Sequence, residues 1–69
     1  MISETDVKDW DILPLTPLHE LESGSFLRTQ NEELFQFVRV EGAYALCKDQ
    51  FGVSTHIGAM AKVYPLVSK

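Results

Sequence analysis

Cysteine is all but missing from this 69-residue chain, where Cys47 stands alone. A single thiol closes no intramolecular disulfide and builds no multi-cysteine zinc site. It fits a reducing compartment better than a secreted setting. Long hydrophobic runs are missing too: the apolar stretches are a few residues each, far below the roughly 20 needed to span a bilayer. A secretory signal needs a basic start and an apolar run, whereas Met1 to Asp11 carries four acids and one lysine. The expectation is a soluble, cytoplasmic protein with no membrane partner.

The chemistry-bearing patterns are equally sparse. Gly24, Gly42, Gly52 and Gly58 are isolated from one another, so no glycine-rich phosphate loop exists. No nucleophile elbow occurs, and His19 and His56 lie 37 residues apart with no metal-ligand spacing around either. Glu32-Glu33 and Asp9-Asp11 are close carboxylates, but both sit in polar segments, and catalytic pairs need burial to separate their pKa values. Clustered Lys and Arg, which phosphate binding requires, are absent. Cys47 with His56 is the one arrangement a catalytic reading can use, and strand parity sets the two on opposite faces. A free cysteine more often packs as a small hydrophobe. No enzyme activity, cofactor or metal is expected.

What is present is an acidic head. Residues 1–22 hold six acids (Glu4, Asp6, Asp9, Asp11, Glu20, Glu22) against Lys8, a charge of −5, while residues 23–69 sum to +1. Such a head serves either as a solvated, solubility-giving segment or as a contact surface for a basic partner.

Residues 1–6 are expected to be loosely ordered, as untethered chain ends are, and residues 7–69 to form a single small domain. Within it, residues 7–24 read as helical turns and an extended arm, and residues 25–67 as strands. Val7, Trp10 and Leu13 repeat every three residues and suggest one helical turn capped by Thr5 or Asp6. Pro14 and Pro17 then enforce extended backbone. A second turn is expected over 17–24, with Thr16 as N-cap, Leu18 and Leu21 on one face and Gly24 ending it.

From Ser25 the period changes to two. Strands are expected at 25–29, 34–41, 43–48, 53–57 and 61–67. In the second, Phe35 and Phe37 share one parity and Val38 and Val40 the other, which a β-bulge near Phe37-Val38 reconciles. Pro65 suggests that the last strand lies on an edge. The fold class expected is mainly β: a small five-stranded SH3-like barrel or a strongly bent meander with one or two short N-terminal helical turns. An open sheet with the N-terminal segment packed across one face is the alternative.

Four stretches carry a family resemblance: Leu21-Glu22-Ser23-Gly24-Ser25-Phe26, then Gly42-Ala43-Tyr44-Ala45-Leu46-Cys47, then Asp49 to Gly52, and a closing Val63-Tyr64-Pro65-Leu66. Over residues 18–66 the chain resembles small uncharacterised bacteriophage and bacterial proteins with SH3-like β-barrels. The resemblance implies a small barrel, possible residence in a host cytoplasm, and no catalytic residue. The function expected is a non-enzymatic binding module that docks on a basic protein surface through Asp6, Asp9, Trp10, Asp11, Glu20 and Glu22. Trp10 is the expected hot spot, since Trp is enriched at such positions. Two alternatives remain: a nucleic-acid-binding barrel that stacks bases on its aromatics, and a structural subunit that self-associates through the strand holding Pro65. The chain is expected to be a monomer or a weak homo-oligomer.

Overall fold

The two-residue period beginning near Ser25 persists to Val67, and each stretch of it becomes a strand. A computed structural model describes residues 4–68, and the side chains of Glu4 and Asp6 lie outside what it describes. It forms β3 (Phe26–Arg28), β4 (Leu34–Glu41), β5 (Tyr44–Asp49), β6 (Ser54–Gly58) and β7 (Lys62–Val67). An N-terminal arm precedes them: α1 (Glu4–Val7), β1 (Asp11–Ile12), β2 (Thr16–Pro17) and a 3-10 turn at Leu18–Glu20.

All strands join one antiparallel sheet in the order β1-β7-β3-β4-β5-β6, with β2 also on β7. The described residues are therefore mainly β, with seven strands and a sheet that does not close. The two additional strands are two-residue pairings of the arm with β7. The sheet is bent sharply enough that Ile57 of β6 and Val63 of β7, from opposite ends of the five long strands, line the same cleft.

The bend has a local cause. Phe37 pairs with Cys47 and Arg39 with Leu46, so Val38 is an extra residue on β4. This is the bulge expected at Phe37-Val38, and such bulges bend the strand that carries them. It sets Val40 on the same face as Phe35 and Phe37, opposite buried Ala45, although Val40 itself lies beyond the core and is exposed. The Val38 carbonyl, released from the ladder, accepts a 2.7 Å hydrogen bond from the Ser23 hydroxyl.

Pro65 does not mark an edge, because β7 pairs with β3 on one side and with the arm on the other. The Pro65 carbonyl accepts from Leu13 N–H at 2.9 Å. In an antiparallel strand a residue's carbonyl and nitrogen point the same way, so the missing N–H faces the arm and leaves the β3 ladder whole. There the arm's pairing breaks: the register gains one residue between Ile12↔Leu66 and Thr16↔Val63. Proline is tolerated inside this sheet because it sits opposite a bulge.

The two sheet faces carry separate cores. On one, Leu18, Leu27, Phe35, Phe37, Cys47 and Val63 pack together, with Leu21 and Ile57 against them. On the other, Val7, Leu34 and Leu66 pack with Trp10 and Phe26. The arm thus covers a sheet face, as the open-sheet alternative requires.

The helical turns differ from expectation in detail. The first begins at Glu4 and ends at Val7, which puts Thr5 and Asp6 inside it rather than at its cap, while Met1 to Ser3 lie outside the described residues. The second is only three residues long and has no side-chain cap, because Thr16 Oγ1 donates to Pro14 O instead. Gly24 does adopt a left-handed φ of 89°, but in a separate turn closed by Ser25 N–H on Glu22 O. A third turn position with positive φ needs a glycine.

Candidate functional site

The arm runs antiparallel along β7, and this sets where its acids lie. Asp11 pairs with Val67 and Pro17 with Lys62, five steps of β7 at about 3.4 Å each. The arm's two ends are therefore about 17 Å apart. Asp9 and Asp11 are exposed at one end, and Glu20 and Glu22 are exposed at the other. The Asp6 side chain lies outside the described residues. The four acids whose side chains are described divide between the two ends of the arm.

Trp10 lies between arm and sheet. Its ring meets Phe26 edge-on, with centroids 5.3 Å apart and planes at 67°, a favourable aromatic geometry. The Trp10 backbone N–H donates to Val7 O at 2.9 Å, closing the turn that drops Val7 into the core. The indole is half-buried, so it fastens the arm to the sheet.

Between its acidic ends the arm exposes apolar side chains. Ile12, on β1, is 60% exposed, and Leu13 and Leu15, in the link between β1 and β2, are about 40% exposed. Leu13, expected on a helical face, instead lies in extended backbone beyond the first turn. The available signal was the proline pair at 14 and 17, which forces the backbone to be extended and turns neighbouring side chains outward.

Cys47 and His56 are on opposite faces. Cys47 pairs with Thr55 and is fully buried, whereas His56 pairs with Leu46 and is exposed. Burial pushes the Cys47 thiol up to about 11, which suppresses the reactive thiolate. His56 Nε2 instead lies 2.9 Å from Glu41 Oε1. Arg39 donates to the other Glu41 oxygen at 2.7 Å. The His56 hydrogen bond, then that of Arg39, hold the Glu41 carboxyl below its ordinary range. This triplet is exposed and ties β4 to β6 across β5.

A cleft of about 450 Å³ lies at the seam where the sheet stays open. Phe35 and Val63 form its floor, Thr55 and Ile57 one wall, and the Thr29–Asn31 turn the other. A second hollow of about 380 Å³ continues from it past Glu33 to Asp49 and Phe51. Asp49 is occupied with structure: its Oδ1 accepts from the N–H groups of Phe51 and Val53. Among the described residues no three metal-ligating side chains converge, and no helix is long and apolar enough to cross a membrane.

No protein family, curated protein or solved structure matches this chain.

Proposed function

We propose that the protein is a non-enzymatic binding module that docks on a basic surface of a partner protein through the outer border of its acidic arm. The observation that supports this is the run of exposed Ile12, Leu13 and Leu15 along the arm, with Asp9 and Asp11 at one end and Glu20 and Glu22 at the other. Apolar contact supplies the lasting part of such an interface, and the acids at its rim supply steering. Trp10 serves it indirectly, by holding the arm on Phe26.

The finer fold reading belongs to the same proposal. A bent meander whose last strand returns beside its first is the feature that supports reading the sheet as an SH3-like small barrel opened at the β6–β7 seam. Nucleic-acid binding gains no comparable support, since Arg39 is engaged by Glu41 and Lys48 and Lys62 are on different strands.

The test is a pull-down from the native cell, followed by binding kinetics with the captured partner. Leu13→Ser with Leu15→Ser should speed dissociation at least about tenfold, because buried apolar anchors act mainly on the off-rate. An unchanged off-rate in the folded double variant would reject the arm as the docking surface. Binding of a DNA or RNA duplex with a steep salt dependence would favour the nucleic-acid reading instead.

A further inference from the structure

The sheet has two free borders, and they are built differently. The arm border carries Pro14, Pro17, the charged Asp11 and a one-residue bulge opposite Pro65. Prolines, charges and bulges are the devices by which proteins keep a sheet edge from accepting another strand. The β6 border has none of them. Ser54-Thr55-His56-Ile57-Gly58 contains no proline and no Asp, Glu, Lys or Arg, and its pairing with β5 is regular throughout.

The register shows which peptide groups are free. Asp49 N–H bonds Val53 O, and Ala59 N–H bonds Ala43 O. Hydrogen-bonded and non-bonded pairs alternate along an antiparallel ladder, so Thr55 and Ile57 turn their peptide groups to β5. Ser54 and His56 turn theirs outward, where no strand among the described residues pairs with them. Gly58 turns outward too, and its carbonyl already accepts from Ala61 N–H at 3.0 Å while keeping a second lone pair.

Charge decides what fits there. The chain is 23% charged and carries −4 overall, yet from Gln50 to Ala61 it has no Asp, Glu, Lys or Arg. The border contributes no Asp, Glu, Lys or Arg of its own, and the Glu41 carboxylate that reaches His56 is matched by Arg39. It therefore offers a basic partner little to recognise, while two acidic copies can approach there without unbalanced like charges. Both ends of the border are also apolar: Phe51 (71% exposed) and Val53 (58%) precede β6, and Met60 (75%) follows it. When two antiparallel copies of one strand meet about a two-fold axis, the start of each lies beside the end of the other.

We propose that this border binds a second copy of the chain by antiparallel pairing of β6 with β6 about a two-fold axis at His56. In that register His56 of each copy bonds His56 of the other through N–H and C=O. Ser54 lies opposite Gly58, and Val53 opposite Ala59 beside Met60. Outward groups then meet only outward groups, and the exposed Phe51, Val53 and Met60 side chains close over the two ends. A five-residue pairing is small for an interface, so the dimer is weak and reversible. The association uses the border opposite the arm, and it stands or falls independently of the proposed partner docking.

Sedimentation of the full chain from about 10 μM to about 1 mM tests it, the range in which a small interface associates. The expected result is a monomer–dimer equilibrium that does not weaken as salt rises. The amides of Ser54 and His56 should gain hydrogen-exchange protection only at the higher concentrations. Ser54→Pro removes an outward N–H at the first residue of a strand, where proline is tolerated. It deletes one bond per copy, so the dissociation constant should rise at least about tenfold. Phe51→Ser with Met60→Ser, at exposed positions that leave the core intact, should also weaken the dimer. A monomer throughout the range overturns the proposal. So does a dimer whose Ser54 and His56 amides stay unprotected, or one that the Phe51/Met60 double variant leaves unchanged.

Discussion

Cys47 shows how one buried side chain ties chemistry to stability. It is fully buried between Ala45 and the floor of the first core, and burial raises its thiol from 9.0 to about 11. Between those two values the unfolded chain has lost the proton and the folded chain has kept it, so the folded state binds more protons. Stability is then fully present below pH 9 and falls as pH rises toward 11, by on the order of 2–3 kcal/mol for a shift of this size. Denaturant melts of the native chain and of Cys47→Ala across this range should converge at alkaline pH, since the alanine variant lacks this loss. A parallel pH dependence in both would show that another group titrates. The native thiol should also react with alkylating reagents far more slowly than the thiol of the unfolded chain.

The same core makes the two inward phenylalanines of β4 expensive to remove. Phe35 and Phe37 are both buried, and truncating either to alanine should cost roughly 3–5 kcal/mol, a large part of what a small domain has. Trp10→Ala should cost less, about 2 kcal/mol, because the indole is half-exposed and loses mainly its Phe26 contact. Thermal melts of the three variants check that order. The inward positions of β4 and β5 were legible in the sequence because alternation leaves one consistent assignment around Cys47. The role of Trp10 was not, since nothing local to residues 7–13 says that Phe26, far along the chain, will lie beneath it.

At the level of elements, the strand boundaries followed from turn residues, and the bulge followed from a parity conflict. Gly42 and Gly52 adopt φ of 63° and 82° at the ends of hairpins, where few other residues are comfortable. The bulge was readable because Phe35, Phe37 and Val40 share a face only if one residue is skipped. The edges were not readable, because strand order is a long-range property. Pro65 was expected on an edge for want of an N–H, and the structure instead places its missing donor against the break in the arm's pairing. Deleting Val38 should leave every remaining β4–β5 pair in register while removing the bend. The variant should therefore keep its hairpin yet melt at a lower temperature than Val38→Gly, which retains the bulge. Equal melting temperatures would mean that the core does not depend on the bend.

For the whole molecule, the placement of the acidic arm along β7 changes how its charge acts. A head of −5 read from sequence alone looks like one field, but the structure sets Asp9 and Asp11 about 17 Å from the end that carries Glu20 and Glu22. Exposed charges are screened beyond about 8 Å at physiological ionic strength and beyond about 30 Å at 0.01 M. At physiological salt the two pairs therefore steer a partner independently. The pair nearer its basic patch should dominate the association rate. At low salt they act as one. Stopped-flow association of the captured partner should show this with Asp9→Asn/Asp11→Asn and Glu20→Gln/Glu22→Gln. In physiological salt the two double variants should slow association unequally, and in low salt nearly equally, with off-rates little changed in both cases. If neither variant alters the on-rate at low salt, the acids keep the protein dissolved and steer nothing, and Ile12, Leu13 and Leu15 must find their partner without help from charge.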